Sequence, residues 1–130
     1  MLQMMNYIGP SMNPVLKSGD GMVVVPYGNE EVRAGDVIVF RHPKNNHKVV
    51  HRVASVNPQG VKTRGDNNDL MDPWRLQPGD ITGRVIFVKR NQKNVTIHGG
   101  QWGRILACVN SEIKSADVGS GVQRCVADSQ

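Results

Sequence analysis

Aromatic residues are scarce in this chain of 130 residues, where phenylalanine, tryptophan and tyrosine together make up 5%. Glycine, by contrast, occurs 14 times, and valine is also abundant. Because β-branched residues favour strands and glycine favours tight turns, we expect short strands and tight turns rather than a helical bundle. The length suits one compact domain that buries a core without metal or disulfide support.

Long apolar runs are also missing. No stretch approaches the roughly 18 residues of a membrane-spanning helix, and residues 1–8 are too short and too polar for a signal peptide. We therefore expect either a soluble protein or one whose membrane anchor lies outside this sequence. The localisation stays open between these two alternatives.

The chain has only two cysteines, Cys108 and Cys125, which is too few for a disulfide scaffold and leaves their redox state open. No CxxC motif or His/Cys cluster indicates zinc, so we expect no metal and no cofactor. The net charge is +5, but the densest basic group, Lys89, Arg90 and Lys93, has no aromatic neighbours. This pattern favours a solvated surface, and no nucleic-acid partner is expected.

Five runs have the apolar, β-branched pattern of strands. They are residues 22–25, 36–40, 48–56, 60–63 and 82–89. Four Gly-Asp pairs suit turns, because glycine adopts positive φ and aspartate bonds its own backbone. They lie at 19–20, 35–36, 65–66 and 79–80. Longer surface loops are expected at 27–34 and 42–47.

The composition changes after about His98, which divides the chain into a β-rich part, residues 1–98, and a second part, residues 99–130. Residues 101–115 place apolar side chains at helical spacing, which predicts an amphipathic helix. These side chains are Trp102, Ile105, Leu106, Val109 and Ile113. Residues 118–130 are rich in serine, glycine and valine and are expected to form a loose tail.

Ser11 is the first candidate for chemistry. It follows Gly9-Pro10, and Asn13-Pro14 comes shortly after it, so the backbone around it is stiffened by two prolines. A rigidly held hydroxyl is a suitable nucleophile if a base removes its proton and donors stabilise the oxyanion. On these residues alone, a plain serine in a proline-rich turn is the alternative.

His51 is the second candidate, because it interrupts a run of β-branched residues. The two-residue period of a strand places it on one face with Val49 and Val53, opposite Val50 and Arg52. A half-buried histidine suits a general base. A core histidine satisfied by backbone groups is the alternative.

The third candidate is the acidic segment of residues 63–74, which holds Asp66, Asp69 and Asp72. A buried carboxylate there would orient the histidine and stabilise its imidazolium form. The alternative is a turn whose aspartate and asparagine side chains cap its own backbone. Calcium binding is not favoured, because EF-hand spacing and the terminal glutamate are absent.

The order of these motifs resembles signal peptidase I over about residues 9–90. The blocks that carry the resemblance are Gly9-Pro10-Ser11-Met12-Asn13-Pro14, Leu16, Gly19-Asp20, Gly35-Asp36-Val37-Ile38-Val39-Phe40, His51-Arg52-Val53 and Thr63-Arg64-Gly65-Asp66-Asn67-Asn68. The common bacterial members of this family use a Ser-Lys dyad. The archaeal and endoplasmic-reticulum members have histidine in place of the lysine, as this sequence does at His51.

The resemblance implies roles for individual residues. Ser11 would be the nucleophile, His51 the base and Asp72 the orienting carboxylate, while Asp66 matches the first aspartate of the Gly-Asp motif and would shape the site. Met12 adjoins the site and is a candidate substrate-binding residue. Some relatives have an oxyanion-stabilising serine two residues before the nucleophile, and this sequence has Gly9 there instead.

The resemblance also implies a fold and an activity. The fold would be mainly β, with twisted antiparallel sheets forming a partly open barrel of the signal peptidase and LexA-like type. The activity would be that of a serine endopeptidase cutting an extended peptide or preprotein after small residues, with a membrane surface as a second candidate partner. The alternative is a non-catalytic β module of the same fold that binds a peptide or protein partner. The oligomeric state stays open.

Overall fold

The computed structural model describes residues 2–100, which form seven strands. The strands are β1 (Gln3–Asn6), β2 (Gly21–Val25), β3 (Val37–Arg41), β4 (Lys48–Asn57), β5 (Gly60–Arg64), β6 (Ile81–Arg90) and β7 (Lys93–Thr96), and a 3-10 turn, Pro78–Asp80, precedes β6. The five predicted strands are confirmed to within a residue or so at each end. β1 and β7 were not predicted, because each has only four residues and at least half of these are polar.

All described strand pairs are antiparallel, and the strands form one open sheet in the order β1-β2-β6-β3-β4-β5. The long strand β6 has two partners along one edge. Its first half pairs with β3, and its second half pairs with β7. The predicted mainly β, antiparallel fold class is therefore confirmed, and the sheet does not close.

The core consists of two apolar clusters that lie on opposite faces of β3. Val37 and Val39 belong to the first cluster, whereas Ile38 and Phe40 belong to the second. Both faces of this strand are covered, which explains the uninterrupted apolar run of its first four residues, Val37 to Phe40. The segment that follows β1 covers the first cluster with Tyr7, Met12 and Leu16, and the same segment carries Ser11.

The predicted helix at 101–115, the predicted tail at 118–130 and both cysteines lie outside the described residues. The division of the chain at residue 98 therefore stays a prediction. Within residues 2–100, we find no helix with the length and apolar character needed to cross a bilayer.

Candidate active site

Two sets of contacts fix the Ser11 turn, residues 9–16. They are backbone hydrogen bonds at its base, where the flanking segments meet, and side chains below it that are buried in the core. At its base, the Tyr7 N–H donates to the Asp20 carbonyl at 2.9 Å, and the Gly19 N–H donates to the Tyr7 carbonyl at 2.8 Å. From below, Met12 and Leu16 are fully buried in the first core cluster. Ser11 is therefore a partly exposed residue on a turn that these hydrogen bonds and buried side chains hold in place.

An ion pair joins Asp20, which follows this turn in the chain, to Arg90 at the end of β6. The Arg90 guanidinium donates to both carboxylate oxygens of Asp20, at 2.8 and 2.6 Å, and also to the Val15 carbonyl at 3.1 Å. The hydrogen bond from Arg90 lowers the pKa of Asp20, and the same bond raises the pKa of Arg90. The pair stabilises the loop between Ser11 and β2.

The Gly-Asp turn after β5 packs against the Ser11 turn. The Asn67 N–H donates to the Ser11 carbonyl at 2.7 Å, and the Asn67 side chain donates to the Pro10 carbonyl at 3.0 Å. A Cβ atom on Gly65 would lie 2.7 Å from the same Ser11 carbonyl oxygen. Glycine is therefore needed at position 65, because the two backbones approach too closely for a side chain.

His51 lies in the middle of β4 with 7% of its surface exposed. Its Nε2 atom is 3.2 Å from the Ser11 Oγ atom. Its ring contacts the Phe40 ring edge to face, with centroids 6.1 Å apart, which places it on the face of the second core cluster with Val53. The predicted face is the observed one, but the opposite face, with Val50, is buried as well.

Asp72 lies on the other side of the histidine ring. Its Oδ2 atom is 2.5 Å from His51 Nδ1 and accepts a second hydrogen bond, at 2.6 Å, from the Thr63 hydroxyl. The Asp72 N–H donates to the Thr63 carbonyl at 2.9 Å, so β5 holds both the backbone and the carboxylate. Lys62 donates to the Asp72 carbonyl at 2.6 Å. The structure thus brings Ser11, His51 and Asp72 into one hydrogen-bonded series.

Asp66 is directed to Arg52 rather than to His51. Arg52 donates to both of its carboxylate oxygens at 2.9 Å and to the carbonyls of Gly35 and His98 at 2.6 and 3.1 Å. Both side chains of this pair are buried. Asp66 therefore joins β4 to the turn after β5, which positions that turn against the Ser11 turn. Asp69 is exposed.

Met12 was expected to contact substrate, and its side chain is fully buried. Its sulfur lies 3.2 Å from the backbone nitrogen of Asp66, so the side chain joins the Ser11 turn to the turn after β5. The physical reason is the position of Met12 beneath the turn, where it packs in the core cluster. What Met12 presents to the site is its backbone.

Two site residues were missed from the sequence. The Tyr7 hydroxyl lies 3.2 Å from Ser11 Oγ and accepts a hydrogen bond from the Met12 N–H at 3.0 Å. Thr63 supports Asp72. Thr63 lies between Lys62 and Arg64, which are also polar, so its place in β5 gave no distinct signal. The position of Tyr7 depends on backbone pairing with Gly19 and Asp20 and has no local signal either.

The site has the groups needed for acyl transfer. A hydroxyl, an imidazole and a carboxylate form a series in which the carboxylate orients the ring and the ring can take the hydroxyl proton. Among residues 2–100, no cluster of three or more histidine, cysteine or acidic side chains is arranged to hold a metal ion.

Comparison with known proteins identifies the family. The family model described as signal peptidase, peptidase S26, matches residues 1–71, which is more than half of the chain. The signal peptidase complex catalytic subunits SEC11C of Homo sapiens, Mus musculus and Canis lupus familiaris are each 30% identical to it over 87 residues. The match covers 58% of this chain and 45% of each relative, so the chain spans less than half the length of these relatives. The chain belongs to the signal peptidase family, peptidase S26.

Proposed function

We propose that this protein is a serine endopeptidase that cuts an extended peptide after small residues, with Ser11 as nucleophile, His51 as general base and Asp72 as orienting carboxylate. The observation that carries the proposal is the series of two contacts, 3.2 Å from Ser11 Oγ to His51 Nε2 and 2.5 Å from His51 Nδ1 to Asp72 Oδ2. Such a series is what a serine hydroxyl needs to attack an amide.

The proposed reaction has two halves. The Ser11 oxygen bonds to the scissile carbonyl carbon as its proton passes to His51, the C–N bond then breaks, and His51 returns the proton to the leaving amine. In the second half, water attacks the acyl-enzyme as one of its protons passes to His51. His51 then returns this proton to the Ser11 oxygen as the ester bond breaks. The Ser11 N–H is the proposed donor to the oxyanion, and Asp72 stabilises the imidazolium that forms in each half.

Preproteins are the proposed substrates. Support comes from the names of the relatives, which are catalytic subunits of a signal peptidase complex. Three exposed apolar side chains add to this support, since Ile8, Leu70 and Met71 belong to the two segments that carry Ser11 and Asp72. Exposed apolar groups beside a site suit an apolar peptide or a membrane surface. The proposal therefore includes two partners, a preprotein substrate and a membrane surface.

Cleavage of a fluorogenic peptide with an Ala-x-Ala sequence before the scissile bond tests the proposal. We expect Ser11→Ala to lower kcat/KM by about 10⁴-fold or more, because the nucleophile is lost. Ser55→Ala is the matched control, since it removes a hydroxyl from β4 outside the proposed triad and should leave activity unchanged. If wild type and Ser11→Ala cut the peptide equally poorly, the protease function is lost and the non-catalytic β module becomes the better interpretation.

A further inference from the structure

The Tyr7 phenol is a buried group that the Ser-His-Asp series does not use. Its ring packs in the first core cluster, and the residue is 4% exposed. Backbone hydrogen bonds to Gly19 and Asp20 hold it at the end of β1. The hydroxyl is therefore placed by a rigid ring on a fixed backbone, 3.2 Å from the oxygen of Ser11.

The direction of the hydrogen bond between these two hydroxyls follows from their other partners. The Asp72 carboxylate is an acceptor, so His51 Nδ1 carries a proton and Nε2 accepts. The Ser11 hydroxyl then donates its one proton to Nε2. The Tyr7 oxygen accepts from the Met12 N–H at 3.0 Å. The arrangement that satisfies every group is one in which the Tyr7 hydroxyl donates to Ser11 Oγ.

We propose that Tyr7 is a fourth catalytic residue, whose hydroxyl donates a hydrogen bond to Ser11 Oγ and stabilises the negative charge that develops on it. This inference rests on the proposed protease function. The Ser11 proton goes to His51, the Ser11 oxygen bonds to the carbonyl carbon, and the phenol proton stays on Tyr7 throughout. When water attacks the acyl-enzyme, a water proton passes to His51, the ester bond to Ser11 breaks, and His51 returns the proton to the Ser11 oxygen. The hydrogen bond from Tyr7 stabilises that oxygen as it departs.

The physical reason for a rate effect is that hydrogen bonds to a charged acceptor are about twice as strong as those between neutral groups. The bond from Tyr7 therefore strengthens as the Ser11 oxygen gains charge, which lowers the barrier more than it stabilises the resting state. The Met12 N–H adds to this effect, because its hydrogen bond to the Tyr7 oxygen polarises the Tyr7 hydroxyl and strengthens the hydrogen bond that this hydroxyl donates to Ser11. Since the Tyr7 hydroxyl contacts the nucleophile, we expect the loss of this hydroxyl to change kcat and to leave KM unchanged.

Tyr7→Phe tests the inference, because it removes the hydroxyl and keeps the ring that packs in the core. We expect kcat to fall by about tenfold with KM unchanged. The matched control is Tyr27→Phe, which also removes a phenol hydroxyl with a defined partner, Asp36 at 2.6 Å, in the loop between β2 and β3. Its activity should equal that of wild type below its melting temperature.

A second measurement reports on Ser11 without a peptide. The rate at which a small fluorophosphonate modifies Ser11, followed by intact mass, should fall by about tenfold in Tyr7→Phe and stay unchanged in Tyr27→Phe. Equal labelling and equal kcat in Tyr7→Phe and wild type would overturn the role of Tyr7 and leave the protease function standing. Failure of wild type to be labelled at Ser11, with no Ser11-dependent cleavage, would overturn both.

Discussion

Replacement of Asp72 by asparagine separates the charge of this residue from its shape. Asp72 Oδ2 accepts hydrogen bonds from His51 Nδ1 at 2.5 Å and from the Thr63 hydroxyl at 2.6 Å. An asparagine amide oxygen in the same place accepts both, so the fold should be little affected. What disappears is the negative charge that balances the imidazolium when His51 takes the Ser11 proton.

The size of the effect follows from that charge. Two opposite unit charges about 4 Å apart interact by about 4 kcal/mol at an effective dielectric constant of 20. Each 1.36 kcal/mol of barrier changes a rate about tenfold. We therefore expect Asp72→Asn to lower kcat by about 10³-fold, and more if the amide rotates and donates to Nδ1, since that would impose the wrong histidine tautomer.

The assay is cleavage of the Ala-x-Ala peptide, with thermal unfolding as a check on the fold. Asp69→Asn is the matched control, because it removes the same charge from the same loop at an exposed position. Its kcat should stay within about twofold of wild type, as is usual for surface changes. The reasoning is refuted if Asp69→Asn loses as much activity as Asp72→Asn, or if Asp72→Asn retains wild-type activity.

Two further predictions concern the supports of the Ser11 turn. Asp20→Asn should lower the free energy of unfolding by about 2 kcal/mol at neutral pH, because the bond from Arg90 is charge-assisted. Since Arg90 lowers the pKa of Asp20 below its ordinary value of 3.8, this difference should be full above that pH and shrink as acidification passes the lowered pKa; a difference that grows on acidification would contradict the assignment. Gly65→Ala should cost about 1–3 kcal/mol and lower kcat by about 10²-fold, because the added Cβ meets the Ser11 carbonyl oxygen at 2.7 Å. Gly79→Ala, where a Cβ meets nothing within 4 Å, is the control, and equal losses in both variants would refute the steric argument.

Much of the fold was predictable because it depends on local patterns. The apolar, β-branched runs of β2 to β6 identify strands by composition, and the Gly-Asp pairs mark several of the turns between them. β1 and β7 escaped prediction because their residues, Gln3–Asn6 and Lys93–Thr96, have no such pattern. They are strands because β2 and β6 offer unpaired edges to them.

The candidate site was predictable to a different extent for each residue. Ser11, His51 and Asp72 were selected by the order of their motifs and by resemblance to a family, and the structure places them within hydrogen-bonding distance of one another. Their catalytic roles stay predictions. Asp66 belongs to the same motif, yet its carboxylate binds Arg52, a partner that adjoins His51 in sequence and points to the opposite face of β4.

The sequence alone determines that this is a β-rich chain with a serine, a histidine and an acidic turn in the order of a signal peptidase, because composition and order are properties of the chain itself. The tertiary structure decides which carboxylate meets His51 and that the Tyr7 hydroxyl meets Ser11. His51 and Asp72 lie 21 positions apart. Tyr7 and Ser11 lie only four positions apart, but the place of Tyr7 is set by its backbone hydrogen bonds to the more distant Gly19 and Asp20. Pairing of Tyr7 with Gly19 and Asp20, and of β4 with β5, creates these contacts, and no local pattern encodes them.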